Sequence, residues 1–209
     1  MPRRRDREGT KAAILEAAEE LFAARGFAGT SLSQVAAKSG TSGPLVVFHF
    51  KDKRGLYQAV KAAIVERHVD YGAGLPHEGP FVEGLEALVR SMFAFYRDNP
   101  TMMRLANWGR LEGDLEPWPG EEQWHHLYVD RLRAAQRRGE LRDDIAPYRA
   151  LVLISGTLHV WWEYREHLLR DLEAFGEAEG ADEAYLEEVL RVLKGGLLPA
   201  AELDTVVRS

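Results

Sequence analysis

The chain has 209 residues, enough to bury a sizeable core in one or two domains. It contains no cysteine, which excludes disulfides and thiolate metal sites and agrees with a reducing compartment. The net charge of −6 is unevenly spread: residues 1–61 carry 11 Lys and Arg against 6 Asp and Glu, so the acidic excess lies in the remainder. A basic head on an acidic body suits a nucleic-acid-binding domain joined to a domain of another kind, because phosphates attract the first and repel the second.

Residues 1–7 are basic and polar, with no signal-peptide core. The longest nearly apolar run, residues 150–162, is too short to span a bilayer. A soluble, cytoplasmic protein is expected.

In chain order, Ile14, Leu15, Ala18, Leu21 and Phe22 form the stripe of a first helix, with Thr10 expected as its N-cap and Gly26 as its stop. Ser31 and Gln34 have the spacing of a capping box at the start of a second helix, whose inward residues are Val35 and Ala36. Gly40 ends it. A very short third helix is expected over about 42–48, capped by Ser42, with Pro44 tolerated in its first turn. Val46 and Phe50 are its inward anchors. Asp52 caps a fourth helix from Lys53 past Val65, with Leu56, Val60 and Ile64 inward. Two short helices joined by a tight turn and flanked by longer ones form a helix-turn-helix, whose second helix enters the major groove of duplex DNA.

The remainder reads as helices throughout. Leu85, Leu88, Val89, Met92 and Phe95 make one face of a helix over about 81–98, and another helix follows over 101–111. A Pro- and Gly-rich break at 113–120 precedes a helix over 121–138. A helix over 147–169 is apolar nearly all round its middle and so must be covered on more than one side. A last helix spans 182–197. The expected fold is all-α, with a helix-turn-helix DNA-binding domain over 1–55 and a larger helical ligand-binding and dimerisation domain over 56–209.

The segments ILEAAEELFAARGF, TSLSQVAAKSG and FHFKDKRGLYQAV together resemble the tetracycline-repressor (TetR) family of bacterial regulators. The match sets Gly26, Thr30, Ala36, Gly40, His49, Phe50, Lys53 and Leu56 at the family's spacing. AAQRRGELRDDIAP resembles the turn before the family's eighth helix. The resemblance implies that Ser31 and Ser33 lie near the DNA backbone, and that Ser42, Gly43, Pro44 and Leu45 begin the helix that faces base edges. Phe48 and His49 would touch phosphate or sugar. Lys53 would anchor a phosphate, and Arg3, Arg4, Arg5 and Arg7 would form an arm to the minor groove or backbone. It also implies a homodimer built on the last two helices.

Two positions depart from the family pattern. Val47 stands where a tyrosine is usual, and Leu45 replaces a polar base-reading residue. Readout must then lean on thymine methyl groups and DNA shape.

Met92, Phe95, Met103, Trp108, Trp124, Tyr128 and Trp162 form an aromatic and sulfur supply suited to an apolar effector cavity. Arg104, Asn107, His125 and His159 offer its polar contacts. Any single one of the apolar side chains is more simply read as core, and the cavity reading of the set leans mainly on the family resemblance. His126 with Glu122, and His159 with Glu163 and His167, lack the fixed spacing of a metal motif, and no catalytic motif occurs. No metal, cofactor or enzymatic activity is expected. The reading is a ligand-responsive homodimeric repressor, acting on a pseudo-palindromic operator and released by an apolar, aromatic or acyl-type effector. A regulator without an inducer, and a small-molecule-binding protein with a degenerate head, stand as alternatives.

Overall fold

The computed structural model describes residues 2–72 and 79–199, with side chains from residue 7 onward. Among the described residues there are nine helices and no strand: α1 Pro2–Arg25, α2 Leu32–Lys38, α3 Gly43–Phe50, α4 Lys53–Gly72, α5 Phe81–Asp98, α6 Pro100–Leu111, α7 Glu121–Arg138, α8 Pro147–Phe175 and α9 Ala181–Leu197. None of them is long and apolar enough to cross a membrane. The chain forms two compact units, one from residues 1–67 and 99–122, the other from residues 68–98 and 123–209. This division differs from a simple cut at residues 55 and 56, because α6 and the segment after it join the helix-turn-helix unit.

In the first unit, Ile14, Ala18 and Phe22 of α1 are fully buried. Thr10 is not the N-cap expected of it: the helix already runs from Pro2, because residues 3–8 are helix-compatible and nothing there breaks it. Gly26 ends α1 at φ +71°, a conformation that suits glycine. Phe27 then turns back to meet Phe22 and Tyr57 at ring-centroid distances of 6.1 and 5.1 Å. The capping box of α2 forms, with the Ser31 amide donating to Gln34 Oε1 at 2.8 Å and the Gln34 amide to Ser31 Oγ at 3.3 Å. Ser42 occupies the N-cap position of α3, but its hydroxyl makes no capping bond, contrary to expectation. Asp52 does cap α4, accepting from the Gly55 amide at 2.7 Å.

Hydrogen bonds tie α6 to α1 at both ends. At its start, Glu19 of α1 accepts from Thr101 Oγ1 at 2.6 Å and from Arg67 at 2.8 and 3.0 Å. Beyond its end, Glu112 accepts the amides of Phe27 and Ala28, each at 2.9 Å. Two further carboxylates follow at alternate positions. Asp114 meets Lys61 at 2.5 Å, and Glu116 meets Arg54 at 2.5 Å and Gln58 at 3.2 Å. The segment 112–116 thereby straps α4 and the α1–α2 turn together.

In the second unit, α5 buries the expected Leu85, Leu88, Val89, Met92 and Phe95, and adds Phe93 and Tyr96. One side of α8 is buried through Ala150, Leu151, Ile154, Leu158 and Trp161. This helix extends six residues beyond the expected end at 169, because residues 170–175 contain no breaker and Gly176, at φ +77°, is the first stop. Asp182 in the first turn of α9 accepts from Arg165 Nε and Nη2, each at 2.8 Å, and from the Trp161 indole N–H at 3.0 Å. A carboxylate at that helix start is also favoured by the helix dipole.

Candidate functional site

In the first unit, α3 buries Val46 and Phe50. Its opposite face is formed by Pro44, Val47, Phe48 and Lys51, all exposed, at steps of three, one and three residues. That spacing is one side of a helix carried just past its last turn. Val47 is 46% and Phe48 63% exposed, too open for side chains held only by a core. Leu45, expected at the base edges, is half-buried, as are Gly43 and His49.

Lys51 was not among the expected contacts. It closes α3 with φ 68° and ψ −60°, and the Asp52 amide donates to the Phe50 carbonyl at 2.9 Å across it. This is a γ-turn, strained for a residue with a Cβ. Its position seven residues after Pro44 is the signal that could have revealed it. Lys53, the expected phosphate anchor, is half-buried. Its ammonium lies 4.4 Å from the Phe27 ring centre and 3.4 Å from the Ala28 carbonyl oxygen. Lys53 thus has protein partners, whereas the Lys51 side chain is exposed to solvent.

The Arg7 guanidinium sits 5.2 Å from the Phe48 ring centre, which brings a cation from α1 to the exposed face of α3. The side chains of Arg3, Arg4 and Arg5 lie outside the described residues. Ser31 and Ser33 share a hydroxyl–hydroxyl bond of 2.9 Å at the start of α2, with Ser33 exposed. Ser42 is exposed at the start of α3.

The expected effector residues are divided between the units. Met103, Arg104, Asn107 and Trp108 belong to α6 and hence to the first unit. There Trp108 packs where a Cβ on Gly26 would meet it at 2.8 Å, Asn107 accepts from Arg110, Met103 is buried and Arg104 is exposed.

Met92, Phe95, Trp124, His125, Tyr128, His159 and Trp162 belong to the second unit, and several meet there. Trp124 contacts His125 at 5.1 Å and Tyr128 at 4.7 Å between ring centres. Tyr96 contacts His159 at 5.7 Å, and Phe93 contacts Trp162 at 4.9 Å. His159 also lies 3.2 Å from Glu163 of the next turn. The indole N–H of Trp162 is buried without a hydrogen-bond acceptor. An unmet buried donor of this kind costs roughly 1–3 kcal/mol, which an acceptor on a bound molecule would relieve.

His68 joins this cluster, 4.4 Å from the Phe95 ring centre and 4.6 Å from that of Trp124, although sequence patterning did not single it out. Burial, reinforced by the nearby His125, pushes its pKa down to about 4. The imidazole is therefore neutral at pH 7, able to donate from one nitrogen and accept at the other.

The sign of the linked stability follows. An unfolded His68 takes up its proton near pH 6.5, whereas the folded one resists protonation until about 4. The stability tied to its neutral form is full above pH 6.5 and drains away toward pH 4, about 3 kcal/mol in all. Urea unfolding at pH 7 and pH 4.5 should show His68→Phe losing markedly less stability than the parent chain. Equal losses would contradict the buried neutral state.

The family model described as "Bacterial regulatory proteins, tetR family" matches residues 14–60, and "Tetracyclin repressor-like, C-terminal domain" matches residues 84–191. The HTH-type transcriptional repressor SCO4008 of Streptomyces coelicolor is 30% identical over 155 residues, covering 72% of this chain and 78% of that protein. Tetracycline repressor protein class D of Escherichia coli is 25% identical over 202 residues, covering 87% and 86%. The solved structure of SCO4942 from Streptomyces coelicolor has a TM-score of 0.75 at 25% identity, covering 90% of this chain and 98% of that one. The fatty acid degradation regulator FadR of Bacillus halodurans, at 18% identity and a TM-score of 0.71, shares the fold. A capped helix-turn-helix followed by a helical body, each matched by its own family model, places this chain in the TetR family of DNA-binding transcriptional regulators.

Proposed function

We propose that the protein is a homodimeric repressor that binds a pseudo-palindromic operator and leaves it when a small apolar, aromatic or acyl-type effector occupies the body. DNA binding is assigned to residues 1–55, and effector binding and dimerisation to residues 56–209. The observation that carries this reading is the exposed Pro44, Val47, Phe48 and Lys51 face of α3, held on a helix-turn-helix whose other side is core. Pro44 and Val47 supply apolar contact to base edges, and the exposed Phe48 ring beside them is reassigned to that role from the phosphate or sugar contact expected of it. Lys51, Arg7 and the hydroxyls of Ser33 and Ser42 supply backbone contacts, with Lys53 beside them.

Dimerisation is supported by the exposed apolar residues of α8 and α9. It would set two recognition helices on successive major-groove faces, roughly 34–36 Å apart or a larger separation. The effector part rests on the ring cluster of the second unit and on the unmet Trp162 N–H. An effector that favours one arrangement of the heads lowers operator affinity only by its differential affinity for the two states. Access to operator DNA places the protein in the cytoplasm.

Selection of duplexes from a random-sequence library at moderate salt tests the reading. The expected result is one inverted-repeat motif bound by two chains, with affinity falling steeply as salt rises. Recovery of no motif would overturn it. Screening apolar and acyl compounds against the bound complex tests the effector part. Release of DNA together with quenching of Trp fluorescence is expected, and a complete absence of release would remove that part.

A further inference from the structure

The base-facing surface of α3 is chemically unusual for a reader of sequence. Pro44 and Val47 cannot donate or accept hydrogen bonds through their side chains, and neither can the Phe48 ring edge in the ordinary sense. The polar groups flank this patch. Ser42 stands at the start of the helix, Lys51 at its end, and Arg7 lies against the outer Phe48 ring. The half-buried His49 holds its ring against Phe48 and Phe50, at centroid distances of 5.3 and 6.0 Å.

In the major groove each base pair presents donors and acceptors, and thymine adds a C5 methyl group. A patch of this composition cannot distinguish an O4 acceptor from an N4 donor, but it gains by covering a methyl. 5-Methylcytosine carries its methyl on the same ring carbon as thymine.

We propose that Val47 and Phe48 make the head a reader of pyrimidine C5 methyl groups, so that it accepts 5-methylcytosine paired with guanine in place of thymine paired with adenine. The inference rests on the reading of α3 as the recognition helix. At the positions that Val47 and Phe48 cover, the operator carries thymine for its methyl and not for its hydrogen-bonding edge. Cytosine methylation at such a position therefore converts a poor site into a good one.

The probe is the duplex selected by the protein itself, resynthesised with each thymine replaced in turn by deoxyuridine. Loss of one covered methyl should weaken binding roughly fourfold, and symmetric loss from both half-sites about fifteenfold. Replacing that T·A pair by 5-methylcytosine·guanine should restore binding to within about twofold. Unmethylated cytosine·guanine should remain as weak as uracil. In Val47→Ala the uracil penalty should shrink, since the side chain that covers the methyl is trimmed; Val47 is already 46% exposed, so the fold should be unaffected.

Tight, salt-dependent binding of the parent duplex with no uracil effect at any thymine would overturn this inference and leave the operator reading intact. A strong uracil effect that 5-methylcytosine fails to rescue would overturn it as well, because the edge would then be read with the methyl. Failure to select any sequence would overturn the operator reading, and this inference with it.

Discussion

Asp114→Ala is expected to destabilise the protein by about 3–5 kcal/mol at neutral pH. The size follows from its partner. Lys61 is 1% exposed and its ammonium meets Asp114 at 2.5 Å, while the Asp114 side chain is 18% exposed. The Tyr57 and Trp118 rings lie 4.8 and 5.7 Å from the same ammonium. These faces attract a cation but do not replace a carboxylate. Removing Asp114 leaves a buried positive charge without its counter-charge.

Burial alone would push the Asp114 carboxyl up. The hydrogen bond and charge of Lys61 outweigh it and hold the pKa below its ordinary value of 3.8. Its stabilising contribution is therefore full above that ordinary value, and is lost as pH falls through the lower folded one. The double change Lys61→Met with Asp114→Leu should recover most of the loss, since an apolar pair of similar volume avoids the desolvation of both charges. Urea unfolding followed by far-ultraviolet circular dichroism measures all three chains. A loss below about 1 kcal/mol for Asp114→Ala would show that Lys61 escapes to water.

Leu153→Glu combined with Val160→Glu is expected to give a folded monomer with about a thousandfold weaker operator binding, the usual gap between specific and non-specific affinity. Leu153, Thr157, Val160 and Tyr164 follow one another at steps of four, three and four residues along α8, and all are exposed. Val192 of α9 is 72% exposed. A Cβ added to Gly156, Gly195 or Gly196 would meet nothing within 4 Å, so these surfaces admit close approach by another helix.

A second copy of the chain is the simplest cover for such a face, and buried carboxylates without partners would oppose that pairing by several kcal/mol. Both substituted side chains are solvent-exposed in a single chain, so circular dichroism should be unchanged. Sedimentation equilibrium should report twice 23.6 kDa for the parent and 23.6 kDa for the variant. A variant that remained dimeric, or that kept full operator affinity, would remove α8 from the interface.

Much of this architecture is local and therefore readable in the chain. The apolar stripes of α1, α4 and α5, the Ser31–Gln34 capping box, the Asp52 cap and the stops at Gly26 and Gly40 depend on neighbours within one or two helical turns. Helical periodicity and capping chemistry are short-range, so they survive without knowledge of the fold. Even the excess of apolar surface on α8 was legible, because no helix can hide a full circumference against one partner. Local signals mislead where two outcomes are both permitted, as with Thr10, which can cap a helix but is tolerated within one, and Ser42, whose position is a cap although its hydroxyl is not used.

What only the tertiary structure decided involves partners far apart in sequence. Glu112 finds the amides of Phe27 and Ala28 across more than eighty residues, and Asp114 and Glu116 find α4 across more than fifty. No periodicity marks three alternating carboxylates, one just before a Pro- and Gly-rich break and two within it, as a strap. The strap, with the Glu19–Thr101 bond, makes α6 part of the helix-turn-helix unit and so divides the expected effector residues between two units. The same long-range packing buries His68 among Phe95, Trp124 and His125, and turns Lys53 toward Phe27 while leaving Lys51 exposed. Composition and spacing determine which faces exist. Only the packed chain determines what each face meets, because burial and desolvation depend on everything nearby in space.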